Sequence, residues 1–195
     1  MTHTAGIRAL GIAESTRGEH CTIAGAVVRA DRVLDGAGYA SATVGELDAT
    51  DAVLAIVDDL DREDVRALLV GAIAPAWYNL LDLDRLHAET GLPTIAVTFE
   101  ASPGLADALR DAFADEALEI RLEQYRGLPP RRAVTVNDER VYVRTVGLEP
   151  QEAIDLVRTF TPEGGRPEPI RVARQLARAG ATYRSRSSGD GSESV

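Results

Sequence analysis

Apolar and polar positions alternate in short blocks of two kinds along the chain. Ala9, Leu10, Ile12 and Ala13 give way to Glu14, Ser15 and Thr16, which predicts a short buried strand over 7–13 running into a polar turn. CTIAGAVVRA (21–30) and RVLDGAGYASATV (32–44) read as two longer strands joined by a tight turn at Asp31. Over 48–60, Ala52, Leu54, Ala55, Val57 and Leu60 recur at mostly helical spacing, with Asp48 or Thr50 available as the cap. The continuous apolar run RALLVGAIA (66–74) suits a strand buried on both faces. Residues 79–90 predict a helix that Gly91-Leu92-Pro93 stops, and PTIAVTF (93–99) a second buried strand.

Ser102-Pro103-Gly104 then opens a helical stretch to about Arg126, broken near Ala114-Asp115. Pro129-Pro130 marks a joint, and RAVTVNDERVYVRTVG (132–147) reads as a hairpin turning at Asn137-Asp138. A helix over 150–160 with proline at its start, an irregular loop over 161–169 and a helix over 170–184 complete the order. SRSSGDGSESV (185–195) has the composition of a disordered tail, leaving one domain over 1–184. Three antiparallel strands followed by parallel crossovers predict an α/β fold, a mixed sheet with helices on both faces. That order matches the ribonuclease H-like arrangement. A Rossmann fold is disfavoured, because no G-x-G-x-x-G and helix follow the first strand.

Charge changes the picture. The chain has 31 acids against 21 basic residues, a net of −10. Every basic residue is arginine; the sequence contains no lysine. Such a composition resembles proteins of salt-loving archaea, where carboxylates keep the surface hydrated. The charges are also segregated: residues 1–120 hold 8 arginines and 21 acids, whereas residues 121–186 hold 13 arginines and 8 acids. The basic third is either a phosphate-facing surface or a set of partners for the acidic body. In molar salt the Debye length shrinks to roughly 3 Å, so nucleic acid would be held by close contacts.

No apolar stretch approaches the roughly 20 residues that span a bilayer, and the N-terminus lacks signal-peptide blocks, so a cytoplasmic protein is expected. Cys21, the one cysteine, sits in a strand-like run and reads as a buried structural thiol. His3, His20 and His87 lack metal-ligand spacing.

VGLEPQEAIDLVRTFTPEGGRPEPIRVARQLARA (146–179) carries Pro167-Glu168-Pro169 and Arg171 between two helices, and in this it resembles the C-terminus of endonuclease V. VRALLVGAIAPAWYNLLDLDRLHAETGLPTIAVTF (65–99) resembles the two central strands of that family. Tyr78-Asn79-Leu80-Leu81-Asp82 is similar to the Phe-Asn-x-x-Asp pattern of the archaeal endonuclease dU family, a relative of endonuclease V. The resemblance spans most of residues 7–180. It implies Mg²⁺-dependent cleavage of a phosphodiester near a deaminated base.

Carried over by position, the first-strand aspartate of endonuclease V falls on Ala13, with Glu14 adjacent. Its central-strand aspartate falls on Val70, its lysine near Phe99, its histidine on Leu148, and its glutamate on Asp48. Within the endonuclease dU pattern, Gly11-Ile12-Ala13-Glu14 keeps the second of two acids, and Asn79 and Asp82 are kept. The resemblance therefore implies a catalytic set of Glu14, Asp48 and Asp82, with Glu14 and Asp48 on a weakly bound Mg²⁺. Glu14 reaches that site only if the strand has ended before it, since a one-residue shift turns a side chain to the other face.

Other residues have plain readings beside functional ones. Asn79 and Asp82 suit a helix cap followed by a dipole-favoured acid. Trp77 and Tyr78 lie beyond a central strand, where they stack on a base or pack. Arg131, Arg132 and Arg171 are candidate phosphate contacts, and Asn79 joins Trp77 and Tyr78 as a candidate nucleic-acid contact. Glu168 stiffens the proline loop by accepting backbone donors. Two functions stand: a metal-dependent endonuclease on deaminated DNA, and a non-catalytic relative that binds DNA or RNA after losing the metal. A small-molecule binder is the third.

Overall fold

The computed structural model describes residues 6–189. His3 and residues 190–195 lie outside that range. Seven strands form one sheet: β1 (Arg8–Arg17), β2 (His20–Arg29), β3 (Leu34–Thr43), β4 (Val65–Val70), β5 (Thr94–Thr98), β6 (Arg132–Val136) and β7 (Glu139–Val146). Their order is β3-β2-β1-β4-β5-β7-β6. β1, β4 and β5 run parallel, and the flanking pairs are antiparallel. The first strand and residues 65–70 are thus neighbours, as the ribonuclease H-like order requires.

The helices are α1 (Ala49–Leu60), α2 (Pro75–Tyr78), α3 (Leu83–Thr90), α4 (Ala106–Ala112), α5 (Asp115–Gly127), α6 (Pro150–Thr159) and α7 (Glu168–Gly189). Strand alternation divides the core between the two faces. Leu10, Ile12, Ile23, Leu68 and Val70 pack with Val53 and Ile56 of α1 and Leu86 of α3. On the other face, Ala9, Leu69, Ile95 and Val97 pack with Val157 of α6 and Ile170 of α7. Double coverage explains the unbroken apolar runs of β4 and β5.

Two glycines let α7 begin directly on the sheet. A Cβ on Gly11 of β1 would stand 2.1 Å from the Pro169 carbonyl carbon. One on Gly71, just past β4, would stand 2.7 Å from Ile170 Cγ2. This close approach places the loop before α7 over the carboxyl ends of the central strands.

Several boundaries differ from the sequence expectation. β1 does not end at Glu14; it pairs with β2 as far as Arg17↔His20, and the chain turns at Gly18 with φ +59°. Ser15, Thr16 and Arg17 are the polar end of a strand. Residues 71–74 leave the sheet, and Ala76, Trp77 and Tyr78 follow with φ of +47°, +57° and +62°. Residues 79–82 are not helical, because the Asp82 side chain accepts from Arg85 N–H and so caps α3 at Leu83. α7 begins at Glu168, inside the expected loop, and continues to Gly189, into the stretch expected to be disordered. There Ser185 and Ser187 hydroxyls donate to the Thr182 and Tyr183 carbonyls. The 132–147 hairpin turns at Asn137 and Asp138, both with positive φ, and extends the main sheet through β5.

Candidate functional site

The carboxyl ends of β4 and β5 open into two joined hollows beneath the start of α7. The smaller, of about 170 Å³, is lined by Ile12, Ala13, Glu14, Val70 and Gly71 together with Arg166 and Arg174. The larger, of about 330 Å³, shares Gly71, Ala72, Arg166 and Arg174 and adds, among others, Phe99, Glu100, Tyr125, Arg131 and Arg144. Four arginines from three parts of the chain therefore face one cleft. They come from the joint before β6, from β7, and from α7 with the loop preceding it.

Aromatic rings hold three of these arginines in place. Arg166 lies 3.8 Å over the Phe99 ring, Arg131 3.8 Å over Tyr142, and Arg144 5.9 Å from Tyr125. Arg131 also donates to the Ser102 and Glu100 carbonyls, and Arg144 to the Pro129 carbonyl. Burial, then the charges of Arg174 and Arg178, push the Arg166 guanidinium below its ordinary range. Burial likewise lowers Arg144. Arginine nevertheless stays charged at neutral pH.

Among the described residues, none of these four forms an ion pair. Among the described residues and apart from Arg184, the arginines of residues 121–186 form only the local ion pairs Arg158–Asp155 and Arg171–Glu168, and Glu163 of that third pairs with Arg32. Among the described residues, Arg131, Arg144, Arg166 and Arg174 are therefore not neutralised by ion pairs with the acidic body.

The expected carboxylate set is dispersed. Glu14 remains in β1, opposite Ile23 and on the face of Ile12, where it accepts from Thr16 Oγ1 at 3.1 Å and from Cys21 Sγ at 3.8 Å. Asp48 stands at the start of α1. Both of its oxygens accept from Thr43 N–H, and Oδ1 also accepts from Asn79 Nδ2 at 2.6 Å. Burial raises the Asp48 pKa, but the donors Asn79 and Thr43 outweigh it and hold the carboxyl below its usual range. Asp82 caps α3, and its N–H donates to Thr50 Oγ1.

Asp48 and Asn79 are thus brought together, while Glu14 lines a hollow that neither Asp48 nor Asp82 lines. Among the described residues no group of three or more His, Cys, Asp or Glu side chains is placed to hold a metal ion. The other charged groups lining the smaller hollow with Glu14 are cations, Arg166 and Arg174. That donor set does not fit Mg²⁺, which needs an octahedral shell of oxygens.

The candidate contacts separate in the same way. Asn79 is fully buried and serves as a staple: its Oδ1 accepts from Ala49 N–H, and its Nδ2 donates to Thr43 O and Asp48. Arg171 is committed to Glu168, so Glu168 serves the loop through that guanidinium and not through backbone donors. Trp77 is 55% exposed and touches Tyr78 and Phe113. Arg132 is exposed on the edge strand β6, and Arg131 belongs to the cleft. Cys21 is buried, and His87 Nδ1 donates to the Leu92 carbonyl at 2.8 Å, both structural positions.

Arg144, Arg166 and Arg174 were not singled out in the sequence. Their signal was the arginine surplus, together with Arg174 and Arg178 four apart on one helix.

A sequence profile described as endonuclease dU matches residues 5–180. The UPF0215 protein TK2033 of Thermococcus kodakarensis is 38% identical over 146 residues, covering 74% of this chain and 73% of that one. A crystal structure of a protein of unknown function from Archaeoglobus fulgidus superposes with a TM-score of 0.76 at 28% identity, covering 89% of this chain and 97% of that chain. Endonuclease V of Ciona intestinalis was solved in complex with a 24mer DNA containing an inosine followed by a ribo-adenosine. It shares the fold at a TM-score of 0.58 and 13% identity, covering 91% of this chain and 86% of that one. The profile match over residues 5–180 and the Thermococcus relative agree: the chain belongs to the endonuclease dU family.

Proposed function

We propose that the protein binds nucleic acid in the arginine-lined cleft, holding phosphates on guanidinium groups in place of a carboxylate-bound Mg²⁺. The observation that carries this reading is the convergence of Arg131, Arg144, Arg166 and Arg174, four arginines that form no ion pair among the described residues, in a cleft whose acids are Glu14 and Glu100. Arg131, Arg144 and Arg166 are half-buried and Arg174 is exposed; half-buried cations without a counter-charge are costly to maintain, and the guanidinium fork suits bidentate phosphate contacts. The family's name and the DNA held by the Ciona endonuclease V support the ligand class. The protein is read as a cytoplasmic, salt-adapted binder of DNA or RNA. No helix among the described residues is long and apolar enough to cross a membrane.

Fluorescence anisotropy with labelled DNA and RNA, plain or carrying uracil or hypoxanthine, tests the reading. The native chain is expected to bind with an affinity that falls as KCl rises. Arg174→Ala should weaken binding evenly across sequences and reduce the salt slope by about one. A native protein that binds none of these oligonucleotides would overturn it.

Cleavage of deaminated DNA is a second reading. It rests on Glu14, the acid that lines the smaller hollow. Nicking by the native protein with Mg²⁺ or Mn²⁺, abolished by Glu14→Ala, would establish it.

A further inference from the structure

The loop that follows β4 lines both hollows and then displays the chain's one tryptophan. Gly71 and Ala72 line both hollows, Ala74 the larger, and Pro75 the smaller, which it shares with Arg166 and Arg174. Trp77 stands two residues beyond Pro75, at most about 7 Å along the chain, roughly two phosphate steps of a stacked strand. It is 55% exposed.

Packing alone does not account for how this side chain is held. Ala76, Trp77 and Tyr78 all have left-handed backbones, a strained conformation for L-residues that gathers at ligand sites. Two backbone bonds fix the segment: Gly45 N–H donates to Ala76 O at 2.8 Å, and Asn79 N–H to Pro75 O at 2.9 Å. A Cβ on Gly45 would stand 3.0 Å from Trp77 Cε3, so glycine there makes room for the indole. The Phe113 ring supports the indole, with 5.0 Å between ring centres. Against Phe113 lies Arg121, which is 6% exposed, its guanidinium 4.0 Å from the ring centre. Arg121 donates to the Ala117 and Gly45 carbonyls, and among the described residues its Nε has no hydrogen-bond partner. A buried cation with an unpaired donor is a costly support for an exposed ring that serves packing alone. Arg121 and Tyr125 lie one turn apart on the same side of α5, and Tyr125 lines the larger hollow. The support of Trp77 and the wall of the cleft are therefore parts of one helix face.

We propose that Trp77 is the stacking platform for an unpaired base of a strand whose phosphates the cleft arginines hold. The proposal deepens the binding reading above and rests on it. An indole face accepts any base, and only an unpaired base offers its own face, so the ligand is single-stranded at this point.

Because Trp77 is the one tryptophan, its emission reports on this site alone. The test titrates native protein with a strand of eight thymidines and with an abasic strand of the same length and phosphate number. Emission is read on unlabelled strands and anisotropy on labelled ones. The thymidine strand should quench Trp77, and the abasic strand should bind without quenching it. Trp77→Ala should weaken the thymidine complex about five- to hundredfold, the effect of losing one base stack, and leave the abasic complex unchanged. Trp77→Phe, which keeps a ring, should recover most of that loss. Arg174→Ala should weaken both strands. Three results would overturn the platform and leave the cleft reading intact: thymidine binding without quenching, equal quenching by both strands, or an equal loss on both strands in Trp77→Ala. The quenching comparison uses native protein alone, so it decides the matter even where Trp77→Ala does not fold. Failure of the native chain to bind either strand would overturn both readings.

Discussion

Replacing Asn79 by alanine should unfold the protein far more readily without removing its ligand contacts. Asn79 is fully buried and makes three hydrogen bonds: to Ala49 N–H at 2.9 Å, Thr43 O at 3.0 Å and the Asp48 carboxylate at 2.6 Å. Two of these are neutral, at about 1 kcal/mol net each, and the charged one is worth about 1.5–3 kcal/mol. Leaving the buried Ala49 N–H unpaired adds about 1–3 kcal/mol. Overlap among these terms puts the loss at roughly 3–6 kcal/mol, a large share of the ~5–15 kcal/mol of a typical domain. At about 2–4 °C per kcal/mol the melting temperature should fall on the order of 10–20 °C.

The pH dependence follows with a definite sign. The folded state holds the Asp48 pKa below its unfolded value, so its contribution is complete above about pH 4 and is lost as pH falls through the folded value. Asn79→Ala removes the strongest donor, so the variant should lose less stability than native protein between about pH 5 and pH 3. Urea titrations at both pH values measure this. A variant within about 1 kcal/mol of native at neutral pH would refute the staple. So would a folded variant that binds nucleic acid markedly worse.

Three further outcomes are expected. Gly11→Ala should be severely destabilising by thermal melt, because its Cβ would meet the Pro169 backbone at 2.1 Å; a melt close to native would mean that α7 is not seated on β1. Burial, reinforced by the neighbouring Glu14 charge, pushes the Cys21 thiol up to about 11. Native protein should therefore resist iodoacetamide near pH 8, and rapid alkylation before unfolding would contradict that environment. If the lysine-free, acidic composition is a salt adaptation, the melting temperature should fall as KCl drops from molar to about 0.1 M. A temperature unchanged or higher at low salt would refute the adaptation.

The central strands were legible because both of their faces are covered, which leaves runs such as Leu68-Leu69-Val70 without polar interruption. The hairpin was legible through Asn137-Asp138, but its place beside β5 was not, because strand pairing is non-local. Glu14 was misplaced because Ser15, Thr16 and Arg17 look like a turn, although they pair with β2 residue for residue. Asn79 and Asp48, 31 residues apart, form a hydrogen bond that no spacing rule expresses. The cleft was visible only as a surplus of arginine. Arg131, Arg144, Arg166 and Arg174 meet through tertiary packing of a joint, a strand and a helix end.

The most direct test of the account is the affinity of the protein for an inosine-containing oligonucleotide, measured with Mg²⁺ and again in EDTA. Native protein, the Arg166→Ala/Arg174→Ala double variant and Glu14→Ala are compared. Guanidinium-held phosphate gives native affinity that is the same in both buffers, is unaffected by Glu14→Ala and is lost in the double variant. Binding that appears only with Mg²⁺, disappears in Glu14→Ala and survives loss of both arginines would contradict it.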